Sequence, residues 1–254
     1  MEFPSFSLTD KVVLLTGGDK GIGQGIAVAM ANAGAHVAFT TRHLARAEET
    51  AQMIEAQGRV AMPLELDVTQ VGQIRPVVEK VAQRFGRIDI LVNNAGYNVP
   101  MDPFDITEEV WDGLYDTNVK GLFFVSQAVG RIMAGQGGGR IINIASQAGF
   151  VAMPKRVIYC STKAAVIHIT RVLALEWAPL NIRVNAVAPT FVRTSLTGPM
   201  LDDPDFGKYV NDMILLKRLG RPEDVAGAVI YLASPAADLV TGHTLLVDGG
   251  WTIH

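Results

Sequence analysis

The chain contains one cysteine, Cys160. An internal disulfide is therefore excluded, and a reducing compartment is the expected setting. Positive charge is not in surplus: 22 Lys and Arg stand against 25 Asp and Glu, for a formal net charge of −3. The basic residues are scattered, so no nucleic-acid surface is expected. The five histidines show no H-E-x-x-H or similar ligand spacing, and no metal site is expected. The opening "MEFPSFSLTDK" lacks the basic, apolar and small-residue order of a signal peptide. No apolar run approaches the ~18 residues of a membrane span. Neither a repeat nor a linker is visible. These absences lead to the expectation of a cytoplasmic protein that binds neither nucleic acid nor membrane.

What is present is apolar and regularly punctuated. The 254 residues are 49% hydrophobic, enough for one sizeable core. "VVLLT" (12–16) is an apolar, β-branched run ending in glycines and reads as a buried strand. Ile22, Ile26, Met30 and Ala33 then recur at helical spacing, closed by Gly34. The alternation continues. Strands are expected at 36–40, 60–68, 88–96, 140–146, 182–189 and 244–250. Helices are expected at 44–58, 71–86, about 107–133, 157–179 and 221–234. Pro63 weakens the third strand, and Pro76 must lie near the start of its helix or kink it. "GQGGGR" (135–140) reads as a surface turn. Continuous apolar strands alternating with helices mean a parallel sheet covered on both faces.

"TGGDKGIGQG" (16–25) follows the first strand and opens the first helix. That is the setting a phosphate-binding glycine turn requires. It is no Walker loop, because no Gly-Lys-Ser/Thr follows. Its glycines fall as T-G-x-x-x-G-x-G at Gly17, Gly21 and Gly23, and taken alone the turn has a purely structural explanation too. Two further motifs follow in order. Asn93-Asn94-Ala95-Gly96 ends the fourth strand, and Tyr159 and Lys163 lie one turn apart on the long helix. A Tyr–Lys pair at that spacing usually only packs; its joint occurrence with the other motifs gives it meaning.

Together these motifs resemble the short-chain dehydrogenase/reductase family, over essentially the whole chain from Thr9 to Trp251. The resemblance implies a doubly wound Rossmann fold of about seven parallel strands, a dinucleotide-binding domain spanning 1–254, and a substrate lid around 194–215. It implies an oxidoreductase that moves a hydride between a nicotinamide cofactor and an alcohol or carbonyl. Tyr159 would be the general acid/base, since a phenol near pKa 10 can serve if lowered. Lys163, together with the positive ring of the oxidised nicotinamide, would lower it, and Lys163 would also hold the nicotinamide ribose. Ser146 would donate to the substrate oxygen, and Asn118 would distort a helix and anchor a water. The resemblance further assigns Ile22 and the three glycines to the pyrophosphate turn. Asp67 and Val68 go to the adenine, and Asn94, Ala95 and Gly96 to the adenosine side. Pro189, Val192 and Thr194 lie in the segment facing the carboxamide, where the family often has glycine in place of Thr190.

Cofactor choice turns on the end of the second strand, "AFTTRH". Thr41 stands where NAD-preferring relatives carry an acid, with Arg42 after it and Lys20 in the glycine turn. Either pair member could be a solvated surface cation. The sharper reading has both meeting a 2′-phosphate, so NADP is expected over NAD. Candidate substrate residues are Tyr97, Asn98, Met101, Gln147, Phe150 and Met153. A sugar, polyol or small ketone is the expected substrate. A 3-oxoacyl thioester is the alternative, and a non-catalytic NADP-binding regulator a third reading. The long helix is more apolar than one sheet can cover, which implies a homotetramer.

Overall fold

The computed structural model describes residues 3–194 and 197–253. Seven parallel strands form one sheet: β1 (Val12–Thr16), β2 (His36–Thr41), β3 (Ala61–Glu65), β4 (Ile90–Asn93), β5 (Gly139–Ile144), β6 (Ile182–Pro189) and β7 (Thr244–Val247). Their spatial order is β3-β2-β1-β4-β5-β6-β7. The order reverses between β1 and β4, which is where a doubly wound sheet opens a crevice at its carboxyl edge. Pro63 lies in β3, the sheet's edge, where its missing N–H leaves no ladder bond unmade.

Strand alternation divides the core. Val13 and Leu15 of β1 face one side. There they meet Ile26 and Met30 of α1 (Gly21–Asn32), Ile54 of α2 (Glu48–Glu55) and Val229 of α9 (Pro222–Ala233). Val12 and Leu14 face the other side. They meet Val77 and Val81 of α3 (Val71–Phe85), Val129 of α5 (Leu122–Gly135) and Leu173 of α6 (Val157–Trp177). α1 and α9 pack closely: a Cβ at Gly25 would lie 2.4 Å from Pro222 Cβ.

Several expectations need correction. The helix expected at 44–58 is split. A 3₁₀ turn covers Leu44–Arg46, and α2 begins only at Glu48. Pro76 is not near a helix start; it is the sixth residue of α3, where its ring removes one intrahelical hydrogen bond. The segment from 107 to 135 is broken by a π-helical stretch at Asp116–Gly121, between α4 (Glu108–Tyr115) and α5. The expected lid is largely helical, with α7 (Gly198–Leu201) and α8 (Pro204–Met213); positions 195 and 196 lie outside the described residues. Asp203 caps α8 by accepting from Phe206 N at 2.8 Å. Finally, Val157–Leu180 is long and apolar enough, by length and composition, to cross a membrane. Its inner face packs on the sheet, while Val172 and Leu175 are exposed.

Candidate active site

The crevice at the carboxyl edge is a cavity of about 350 Å³. β1 enters it through the glycine turn. Gly17 and Gly21 take φ of +68° and +56°, which L side chains rarely adopt. A Cβ at Gly23 would lie 1.9 Å from Gly17 O, so only glycine lets the turn close. Asn94, at the end of β4, fastens this turn by donating to Thr16 O (3.1 Å) and Gly17 O (2.7 Å). Thr16 Oγ1 in return accepts from the backbone N–H groups of Asn94 and Ala95, each at 3.0 Å. Lys20 is the N-cap of α1. No side chain caps the helix, and its first turn carries no acid. Unfilled N–H donors beside a turn with no room for a Cβ fit a phosphate. The residues present therefore suit the pyrophosphate of a dinucleotide.

Every residue that the sequence assigned to the cofactor lines this one cavity: Gly17, Lys20, Gly21, Ile22, Gly23, Arg42, Asp67, Val68, Asn94, Ala95, Gly96, Tyr159, Lys163, Pro189, Val192 and Thr194. Some have occupations of their own. Asp67 Oδ1 accepts from Thr69 N (3.0 Å) and Thr69 Oγ1 (2.8 Å). The Asn94 amide is spent on the turn. Thr194 and Thr197 share reciprocal hydrogen bonds over the mouth, and Thr197 Oγ1 also donates to Val192 O at 2.6 Å. Arg42 and Lys20 are exposed, and acids share their rim: Asp19, Glu48 and Glu49 line the shallow hollow beside Lys20.

At the other end, β5 delivers Ser146 and the first two turns of α6 deliver Tyr159 and Lys163. The two elements are held in register by buried amides. Asn143 Nδ2 donates to Thr170 Oγ1 of α6 at 2.9 Å, and Asn93 Nδ2 donates to Asn143 Oδ1 at 2.9 Å. Tyr159 is half-buried in the cavity wall, and the loss of water there pushes its pKa up; the Ser146 hydroxyl beside it and the Arg156 charge act the other way. Burial likewise pulls Lys163 down to about 8. Lys163 Nζ donates to Ile144 O at 2.8 Å and lies 5.6 Å from the Tyr159 ring centroid. In the protein alone, then, the phenol is not lowered, and Lys163 is not among the groups that shift it.

Asn118 sits in the π-helical stretch, 1% exposed, and does not line the cavity. It accepts from Tyr97 N (3.0 Å) and donates to Tyr97 O (3.0 Å) and Thr162 Oγ1 (3.2 Å). It thus ties the loop after β4 to α6, directly behind Gly96. A π-bulge at such a place is a frequent mark of a functional site.

The substrate end also holds Asn98, Gln147, Met153 and Tyr97, as expected, together with Arg156, Thr190, Phe191 and Met200. Met101 and Phe150 do not line it. Arg156 and Phe191 were missed by sequence reasoning. A cation one turn before Tyr159 was the available signal for Arg156; Phe191 gave none. Cys160 is half-buried, and burial raises its pKa, which leaves a thiol and no nucleophilic thiolate. His168 is exposed in the single chain. Among the described residues no group of His, Cys, Asp and Glu could hold a metal ion.

Residues 17–252 match the model of a family described as enoyl-(acyl carrier protein) reductase. The chain is 42% identical to a 2-dehydro-3-deoxy-D-gluconate 5-dehydrogenase of Dickeya dadantii, over 97% of both chains. It is 40% identical to an NAD-dependent glycerol dehydrogenase of Listeria innocua, over 98% of this chain and 96% of that one. Among solved structures it resembles a short-chain type dehydrogenase/reductase from Mycobacterium marinum, at 40% identity, TM-score 0.94 and 98% coverage of each chain. It also resembles a gluconate 5-dehydrogenase from Burkholderia cenocepacia in complex with NADP and tartrate, at 36% identity, TM-score 0.94 and 98% coverage of each. With the glycine turn, the Asn-Asn-Ala-Gly strand end and the Tyr–Lys helix gathered in one crevice, the chain belongs to the short-chain dehydrogenase/reductase family of oxidoreductases.

Proposed function

We propose that the protein is an NADP(H)-preferring dehydrogenase that interconverts an alcohol and a carbonyl on a sugar, polyol or small ketone. The observation that carries this reading is the convergence of Ser146, Tyr159 and Lys163 at one end of a cavity whose other end is the glycine cradle. When bound, the nicotinamide would accept or supply the hydride and, in its oxidised form, bring a positive charge beside the phenol. The chain's own residues handle the proton. Tyr159 Oη takes it from the substrate hydroxyl or returns it. Ser146 donates to the same oxygen and offsets its developing charge. Lys163, fixed by Ile144 O, is placed to hold the ribose and to stabilise the phenolate when it forms. Asn118 positions α6 against the loop that carries Tyr97.

Preference for NADP rests on Lys20 and Arg42 at the adenosine end, with Thr41 in place of an acid. Thr41 is buried, and its hydroxyl is engaged with His43 N at 3.1 Å, so it offers the ribose no carboxylate. Relatives divide on this point: one is named NAD-dependent, whereas a solved neighbour holds NADP. A cytoplasmic homotetramer is part of this reading, supported by the exposed apolar face of α6 at Val157, Val172 and Leu175 and by exposed Trp111 of α4.

A 3-oxoacyl thioester reductase is the second reading, favoured by the acyl-carrier description of the family model. An acidic carrier protein needs a basic entrance. The lid instead exposes Asp203 and Asp205, and its cations Arg193 and Lys208 are already paired with Asp202 and Asp212. The test is turnover of sugars, polyols, ketones and acyl thioesters, in both directions, with each cofactor. Acyl thioesters as the best substrates, or no turnover at all by folded protein, would refute the proposal.

A further inference from the structure

Arg156 stands at the start of α6, one helical turn before Tyr159, and lines the same cavity. It is 7% exposed. Its partners are weak for a guanidinium: Pro154 O at 3.0 Å, Met200 Sδ at 3.2 Å and the face of Phe206, 5.2 Å from the ring centroid. Burial pushes its pKa down, and among the described residues no carboxylate acts on it. A buried charge is ordinarily paired, and arginine's donor fork matches a carboxylate in shape. Here the fork is held beside the reacting tyrosine with a carbonyl and a thioether for company.

The neighbouring polar groups are the complementary kind. Asn98 Oδ1 and Gln147 Oε1 are buried acceptors with no hydrogen-bond partner, and both residues line the cavity. Acceptors repel a carboxylate but suit hydroxyl donors. Met153 and Phe191 supply apolar wall between them. Beside Lys163, Tyr159 and Ser146 the pocket thus adds a guanidinium, two hydroxyl acceptors and an apolar wall.

We propose that Arg156 binds a substrate carboxylate, that Asn98 and Gln147 accept from the same substrate's hydroxyls, and that the preferred substrates are short polyhydroxy acids rather than neutral polyols. This rests on the dehydrogenase reading above. In the oxidative direction the carbinol C–H bond breaks with its electron pair, which leaves as hydride to the oxidised nicotinamide. The hydroxyl proton passes to Tyr159, and a ketone remains; the carboxylate is not altered. The acid would displace the Met200 thioether from the guanidinium. Met200 lies in α7 and Phe206 in α8, so the same contact links the acid to the two lid helices. The other cation at this end, Lys163, is turned to Ile144 O, so the acid meets one guanidinium, which suits a monoanion better than a phosphate dianion.

The experiment compares matched pairs in which a carboxylate replaces one terminal hydroxymethyl group: D-gluconate with D-glucitol, and threonate with threitol, each with NADP⁺ and NAD⁺. The acids are expected to exceed the alditols in kcat/KM by ~30-fold or more, since one charge-assisted hydrogen bond is worth about 10- to 100-fold. In Arg156→Met the acid-to-alditol ratio should fall at least tenfold, chiefly through KM of the acid; Arg156→Lys should keep part of it. Gluconate binding to cofactor-loaded Tyr159→Phe should weaken with added salt and vanish on adding Arg156→Met. Alditols used as well as acids by the wild type overturn the proposal while leaving the dehydrogenase intact. So does an unchanged ratio in Arg156→Met, or a phosphorylated alditol preferred to the acid. If neither member of any pair is oxidised and gluconate does not bind, the sugar and polyol reading itself falls.

Discussion

Lys163 should cost the folded protein stability at neutral pH, and the cost should disappear as pH rises. The side chain is 6% exposed, and its pKa is brought by burial from 10.5 to about 8. The folded-state pKa is thus below the unfolded one. Between about pH 8 and 10.5 the unfolded chain holds more protons, so stability rises with pH through that window. Below it, both states are protonated and the penalty is fully present. A shift of this size corresponds to roughly 3 kcal/mol at 1.36 kcal/mol per unit, of which about 2–3 kcal/mol is recovered by pH 10. Lys163→Met removes the charge but leaves Ile144 O without its donor, a loss of about 1–3 kcal/mol. The variant should therefore match or modestly exceed the wild type at pH 7, then lose ~2–3 kcal/mol relative to it by pH 10. Tyr159 does not confuse the comparison, because burial holds its pKa above the ordinary value and it stays protonated in that range. Urea unfolding of both proteins without cofactor, at one protein concentration and several pH values, measures the difference. A wild-type minus variant difference that stays flat from pH 7 to 10 would refute the desolvated-ammonium argument.

Tyr159→Phe should abolish turnover while nucleotide binding, measured by titration of NADPH fluorescence, stays within a few-fold; retention of most of kcat would remove Tyr159 from the proton path. Arg42→Ala should weaken NADPH by ~1.5–3 kcal/mol and leave NADH nearly unchanged. Thr41→Asp should tip kcat/KM towards NADH, whereas equal effects on both cofactors would make Arg42 a solvated cation. Light scattering should give a homotetramer at micromolar concentration, and a monomer there would mean that the apolar face of α6 has another use.

The strands were legible because their residues have no other place to go. β6 is eight residues, Ile182–Pro189, buried at every position but Arg183, and its bounds agree with the sequence reading. The helices of the lid were not read, although Asp203-Pro204 carried a start signal: an N-cap acid followed by proline at the first helical position. The split at Ala47 had no comparable signal, since no polar residue stops the 3₁₀ turn or caps α2. The substrate wall is harder still. Phe191, Phe206, Tyr209 and Trp251 form one aromatic group with ring centroids 5.6–6.2 Å apart, yet they come from three separate parts of the chain. Local pattern cannot announce a contact that only the tertiary path creates.

The same distinction separates what the Tyr159–Lys163 spacing could and could not reveal. One helical turn guarantees that the two side chains are neighbours. It says nothing of the solvent they lose. The sequence argument counted on Lys163 as a fixed positive charge that, with the nicotinamide ring, lowers the phenol. Burial instead drives each group towards its neutral form, the phenol up and the ammonium down. A lysine near pKa 8 is still mostly charged at pH 7, but its nearest acceptor is Ile144 O, and its Nζ stands 5.6 Å from the ring centroid of Tyr159. The free protein therefore stores little phenolate. On the dehydrogenase reading, the remaining push has to arrive with the ligands, as charge on the nicotinamide and as hydroxyls that solvate both groups. Catalytic competence at Tyr159 is then a property of the loaded cavity, and the role of α6 is to hold a half-buried phenol and a buried lysine where that loading can act on both.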